Sequence, residues 1–101
     1  MSKIDEIKEL VRQERETRLM RLRWSDVAIF MIQSGYNTVN KIVRAIEIDR
    51  YKRQRLVVAL ARLKYIGRVR RYGVWGLPTY ELSEKAIRYY KQRGLEEFWE
   101  D

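Results

Sequence analysis

The sequence predicts a mainly α domain closed by one small β-hairpin. Two observations carry this expectation. Most of the chain falls into helix-forming runs that begin at capping residues or stop at single glycines, and only residues 68–82 alternate in the manner of strands. With 101 residues, 46% hydrophobic and 36% charged, the chain is long enough for one modest core and not for two.

Residues Ser2 to about Arg23 contain neither Gly nor Pro and are rich in Glu, Arg, Lys and Leu, so they predict a long first helix. Ile4, Ile7, Val11, Leu19 and Leu22 fall on about one face, but Glu14, Arg15 and Arg18 interrupt the stripe. The reading is a partly buried arm. "WSDVAIFMIQSGYN" offers Ser25 or Asp26 as N-cap and Gly35 as stop, and is apolar on almost every side, as a central core helix is. "TVNKIVRAIEI" offers Thr38 as N-cap and Val39, Ile42, Val43 and Ile46 at i, i+3, i+4 and i+7, a compact amphipathic helix.

The next helix is expected from an N-cap at Asp49 to about Tyr65, with Gly67 just past its end. Leu56, Leu60 and Leu63 share one face with Ala59 beside them; helical phase puts Arg50, Tyr51, Gln54, Arg55, Val58 and Arg62 on the opposite arc. "RVRRY", "GVWGLP" and "TYEL" read as strand, turn and strand. Val69, Tyr80 and Leu82 are the inward candidates, Arg68 and Arg70 point outward together, and Gly73 and Gly76 bracket the turn. Ser83 caps a last helix, "EKAIRYYKQR", that stops at Gly94, and the tail "LEEFWED" carries Leu95, Phe98 and Trp99 at helical spacing. The domain division is 1–23 as an N-terminal arm, 24–94 as the folded domain and 95–101 as an acidic apolar tail.

The absence of cysteine rules out disulfides and thiolate metal sites, and the absence of histidine removes the commonest general base and metal ligand. The acids are interleaved with basic residues without a spacing that suggests Mg²⁺ chemistry, and no Gly-rich phosphate cradle occurs. The chain therefore reads as a binding protein rather than an enzyme, with no cofactor and no metal. No apolar run reaches the roughly 18–20 residues that cross a bilayer, and "MSKIDEIKEL" is charged throughout, so a cytoplasmic location and no membrane partner are expected. High Lys, Arg and Glu with no Cys also fits a thermophile.

The net charge is +8, and its distribution is uneven. Residues 1–49 hold nine basic and eight acidic side chains, residues 72–101 hold four and six, and Arg50 to Arg71 hold nine basic and none acidic. Those nine are Arg50, Lys52, Arg53, Arg55, Arg62, Lys64, Arg68, Arg70 and Arg71. A charge run is commonly a solvated face, but a segment that excludes acids altogether repels itself unless an anion compensates. Phosphate neutralisation with counterion release is the fitting chemistry, so nucleic acid is the expected partner class.

The order helix, helix, helix, hairpin, helix behind an extra N-terminal helix resembles the winged helix-turn-helix DNA-binding proteins, similar to small archaeal and archaeal-virus transcriptional regulators. The resemblance covers about Trp24 to Arg93 and rests on "TVNKIVRAI", "LVVALARLKYIGRVRR" and "TYELSEKA". It implies a helix in the major groove of double-stranded DNA and a wing on the backbone or minor groove. On matching positions it nominates Arg50, Tyr51, Gln54, Arg55 and Arg62 on the helix, and Arg68, Arg70, Arg71 and Trp75 on the wing. Arg55 and Gln54 are the candidates for guanine and adenine reading, and Lys52, Arg53 and Lys64 for phosphate contacts.

Trp75 is left between its own sheet, a wing-tip contact and a subunit contact. Tyr51, Tyr65 and Tyr72 read as packing or hydroxyl-donating side chains, and Ile87 to Tyr90 as a packing or dimer face. The arm is expected to pack on the domain or pair with its copy, and Leu95, Phe98 and Trp99 to cover the N-terminal helix or a second subunit; the apolar residues of arm and tail suggest a homodimer through the N-terminal helix and the C-terminal helix or tail. Two other functions compete with specific DNA binding: non-specific binding of nucleic acid, chromatin-like or RNA-associated, and a winged helix that binds protein.

Overall fold

In the computed structural model, which describes residues 2–16, 21–73, 76–90 and 98–99, the chain runs through five helices and one hairpin. The order is α1 (Lys3–Glu16), α2 (Trp24–Gln33), α3 (Val39–Ile46), α4 (Arg50–Tyr65), β1 (Val69–Tyr72), β2 (Thr79–Leu82) and α5 (Glu84–Tyr90). The fold class is thus mainly helical with one two-stranded antiparallel sheet.

Three helix starts lie where local chemistry puts them. Thr38 Oγ1 accepts from the Lys41 amide at 3.1 Å, Asp49 Oδ1 from the Lys52 amide at 2.9 Å, and Ser83 Oγ from the Ala86 amide at 3.3 Å. Each satisfies an amide that the helix leaves unpaired, for about 1 kcal/mol. The hairpin is in the expected place, with Val69 opposite Leu82, Arg70 opposite Glu81, Arg71 opposite Tyr80 and Tyr72 opposite Thr79. On its free edge the Tyr80 amide donates to the Asn37 carbonyl at 2.8 Å, which ties the sheet to the α2–α3 loop.

The apolar faces converge on α2, whose Trp24 and Val27 to Ile32 are all buried and which packs on α4, α5 and β2. Leu56, Ala59, Leu60 and Leu63 of α4 close over it, and Val69 and Tyr80 seal the hairpin side. α1 packs on α3 through the buried Ile7 and Val11.

Two expectations about the N-terminal third are corrected. The described part of α1 is Lys3–Glu16, and the helix does not reach Arg23 because residues 21–23 are extended: Leu22 forms an antiparallel bridge with Trp99, and the Arg23 amide donates to the Phe98 carbonyl. For the same reason α2 begins at Trp24, with Arg23 in the N-cap position and no side-chain cap, so Ser25 and Asp26 lie inside its first turn. Arg18 and Leu19 lie outside the described residues, as do Leu95 and the expected Gly94 stop.

Glu14, read as a break in the apolar stripe, is the polar centre of the fold. It is 6% exposed. Its carboxylate accepts from the Leu22 amide and from Lys52 Nζ, and Arg55 Nη1 lies 3.3 Å away. Exposed ion pairs support the same contact from outside, Arg15 with Asp49 at 3.7 Å and Lys8 with Glu47 at 3.9 Å, each contributing at most about 1 kcal/mol. Further out on α1, Arg12 binds Glu9 and Glu16, and its guanidinium holds the Glu9 carboxyl below its ordinary range.

The described residues of the C-terminal segment are not a free tail, in line with the expectation that they cover apolar surface. Phe98 is buried and meets Phe30 edge-to-face, with ring centroids 6.1 Å apart, and Trp99 packs against the core. Ile7, Val11, Leu22 and Phe98 are therefore covered within one chain.

Two outcomes follow from these contacts. Glu14→Ala strands Lys52 in the interior and should lower unfolding free energy by about 3–5 kcal/mol in urea titration; Glu14→Met with Lys52→Met should cost clearly less than the two single changes combined. Gly73 has φ +148°, and a Cβ there would overlap the Leu77 carbonyl oxygen. Gly73→Ala should lower Tm through loss of the hairpin turn, with a cost of about 1–3 kcal/mol, whereas Gly67→Ala, with open space around its Cβ, should cost less.

Candidate nucleic-acid interface

The acid-free segment maps onto α4 and β1, and the burial of α4 sets which of its cations face outward. With Lys52, Leu56, Ala59, Leu60 and Leu63 turned inward, the middle of the outer face is Gln54, Val58, Ala61 and Tyr65 at i, i+4, i+7 and i+11. Arg55 and Arg62 flank this strip on one side, and Arg53 and Lys64 on the other. A polar and apolar strip thus runs between two basic edges.

Each edge opens into a concavity. On the Arg55 side a cleft of about 570 Å³ lies between α4 and the first turn of α2, lined by Trp24, Arg23, Gln54, Arg55, Val58 and Arg62 among others. The Trp24 indole Nε1 is closed to solvent and has no hydrogen-bond partner among the described residues, and Arg23 Nε sits 3.4 Å from Asp26 Oδ2. On the Lys64 side a groove of about 390 Å³ separates α4 from the hairpin, lined by Lys64, Tyr65, Arg71 and Tyr80. It continues past Tyr72, Leu77 and Pro78 toward the turn.

The predicted residues divide once placed. Arg50, Arg53, Arg62, Lys64 and Arg71 are exposed and have no carboxylate partner among the described residues. Lys52 is corrected: it is 7% exposed and bound to Glu14, so it is an internal ion-pair partner and not a phosphate contact. Arg55 is half-held by the same carboxylate and stands 6.0 Å from the ring of the exposed Tyr51.

The wing arginines are sorted by the sheet. Arg71 shares a sheet face with Tyr80 and borders the groove beside Lys64, whereas Arg70 lies on the opposite face with Glu81 at 3.9 Å and Tyr72. Arg68 precedes the strand, and its guanidinium rests 4.9 Å over the Tyr89 ring of α5. The register leaves Arg70 on the face away from Arg71, as alternation expects for Arg68 and Arg70, and of the three it is Arg71 that lines a groove with α4. Of the two roles read for Tyr51, Tyr65 and Tyr72, packing does not fit their exposure, which reaches 90% at Tyr65. Trp75 lies outside the described residues, as does the side chain of Tyr90.

Sequence reasoning missed Glu14 and Trp24, and it listed Val58 without seeing that it centres the exposed strip. The strip was accessible by phase once Lys52 was counted as inward. Nothing in the local sequence marks Glu14, whose cationic partners are 38 and 41 residues away.

No protein-family model matches the sequence, and neither the curated proteins nor the solved structures compared with it give a match. Function is therefore read from the surface itself. Among the described residues no group of three or more His, Cys, Asp and Glu is placed to hold a metal ion, and no helix is long and apolar enough to cross a membrane.

Proposed function

We propose that the protein is a sequence-specific double-stranded DNA-binding protein of the winged helix-turn-helix type, acting as a transcriptional regulator. In this reading α3 and α4 are the helix pair, α4 enters the major groove, and the hairpin is the wing. The observation that carries it is the outer face of α4: an uncharged strip bordered on both sides by cations, with no acidic residue between Arg50 and Arg71.

The geometry suits a duplex. A helix with its side chains is about 10–12 Å across and the major groove about 12 Å wide, so side chains on both edges of the helix meet the phosphates of the two walls. Arg62 with Arg55 serves one wall, and Arg53, Lys64 and Arg71 the other. These contacts position the protein, and the middle of the strip meets base edges. Gln54, near the helix start, suits the N6 and N7 of adenine. Arg55, restrained by Glu14, moves from base reader to edge contact.

One chain accounts for this surface. A homodimer through the N-terminal helix and the C-terminal helix or tail would place two such helices on half-sites about one helical turn apart.

The deciding experiment is selection from random duplex DNA followed by anisotropy titration. The selected site should bind at least about 10³-fold more tightly than random duplex at the same salt. Comparable affinity for both would instead assign non-specific nucleic-acid binding, and no affinity for any duplex or RNA would assign a protein-binding role.

Arg62→Ala and Lys64→Ala should each weaken binding to every duplex and reduce the slope of log K against log salt by about one. Lys52→Ala should show its main effect in urea unfolding, in keeping with its burial against Glu14.

A further inference from the structure

Resting on the DNA reading above, we propose that the middle of α4 reads thymine 5-methyl groups through Val58, so that the preferred duplex carries A·T pairs under the centre of the helix. Val58 is a β-branched apolar residue, 50% exposed, in the most basic segment of the chain. It contributes little to the core, which α4 builds from Leu56, Ala59, Leu60 and Leu63. Ala61, one turn further on, is also exposed.

Between Gln54 and Tyr65 the line of the strip therefore presents no hydrogen-bonding side chain. From Gln54 to Ala61 it covers about 10 Å along the helix axis, the length of about three base pairs.

The chemistry of the groove floor decides what such a strip can favour. Guanine O6 and N7 and the cytosine amino group, pressed against Val58, would lose water and gain no partner. The thymine methyl is the one apolar group that a base pair offers in the major groove. Gln54 points the same way, because the adenine it can grip is paired with a thymine. Arg62 lines the same cleft as Val58 but is assigned to the phosphates of that wall in this reading, and Arg55 is drawn toward Glu14.

The test removes the methyl and nothing else. The tightest duplex from the selection is remade with deoxyuridine in place of thymine, one position at a time, and affinities are measured for the wild type and for Val58→Ala. The exposed position leaves Val58→Ala folded, which circular dichroism checks. For the wild type, at least one substitution should weaken binding about fourfold, the effect of one buried methyl. Val58→Ala should bind the thymine duplex more weakly and distinguish thymine from uracil by less than about twofold at that position. Equal binding of both duplexes by the wild type, or full uracil sensitivity retained in Val58→Ala, overturns the proposal while DNA binding stands. Absence of binding to any duplex overturns the DNA reading and the proposal together.

Discussion

The carboxylate of Glu14 joins three parts of the chain that nothing local would bring together: helix α1, the extended segment at Leu22 and helix α4. A lone carboxylate in the interior would be strongly disfavoured, and a lone ammonium equally so. Glu14 and Lys52 are each tolerable only because the other is present and because the Leu22 amide and Arg55 occupy more of the oxygen lone pairs. Leu56, Leu60 and Leu63 already turn this face of α4 inward, and the ion pair adds to them by withdrawing Lys52 and restraining Arg55 on the side of α1.

The consequence for the surface is subtractive. Nine cations and no acid in residues 50–71 suggest a uniformly basic helix and wing, yet folding withdraws Lys52 entirely, restrains Arg55, lays Arg68 over Tyr89 and sets Arg70 near Glu81. What is left is ordered: Arg53, Lys64 and Arg71 on one side of α4, Arg62 with Arg55 on the other, Arg50 at the N-terminal end of the strip, and uncharged residues from Gln54 to Tyr65 between the edges. A diffuse patch would provide attraction for any polyanion. Two edges with a neutral centre provide attraction at the phosphates and leave the centre free to discriminate, and this division of labour is what the DNA reading requires.

The parts of this arrangement that were legible beforehand are those set over short distances along the chain. Thr38, Asp49 and Ser83 cap their helices by bonding to amides three residues ahead, so residue type and position suffice to find them. The hairpin register follows from alternation around a glycine-flanked turn, and the inward face of α4 from leucines at helical spacing. The candidate site was half legible for the same reason: helical phase placed Gln54, Val58 and Arg62 outside. It could not separate Lys52 from Arg53, because a cation at the margin of a helix face is equally compatible with water and with a buried carboxylate.

Residue chemistry and spacing along the chain by themselves determined the helix-rich class, the α3–α4 pair, the hairpin and the concentration of positive charge in residues 50–71. Only the tertiary structure decided that residues 21–23 are extended rather than helical, that Arg23 rather than Ser25 precedes α2, that Phe98 belongs to the core, and which arginines stand together. These outcomes depend on contacts between residues far apart in sequence: Leu22 with Trp99, Phe30 with Phe98, Glu14 with Lys52. The free energy of such a contact is set by the burial and geometry of both partners at once, and neither partner's neighbours in the chain carry that information.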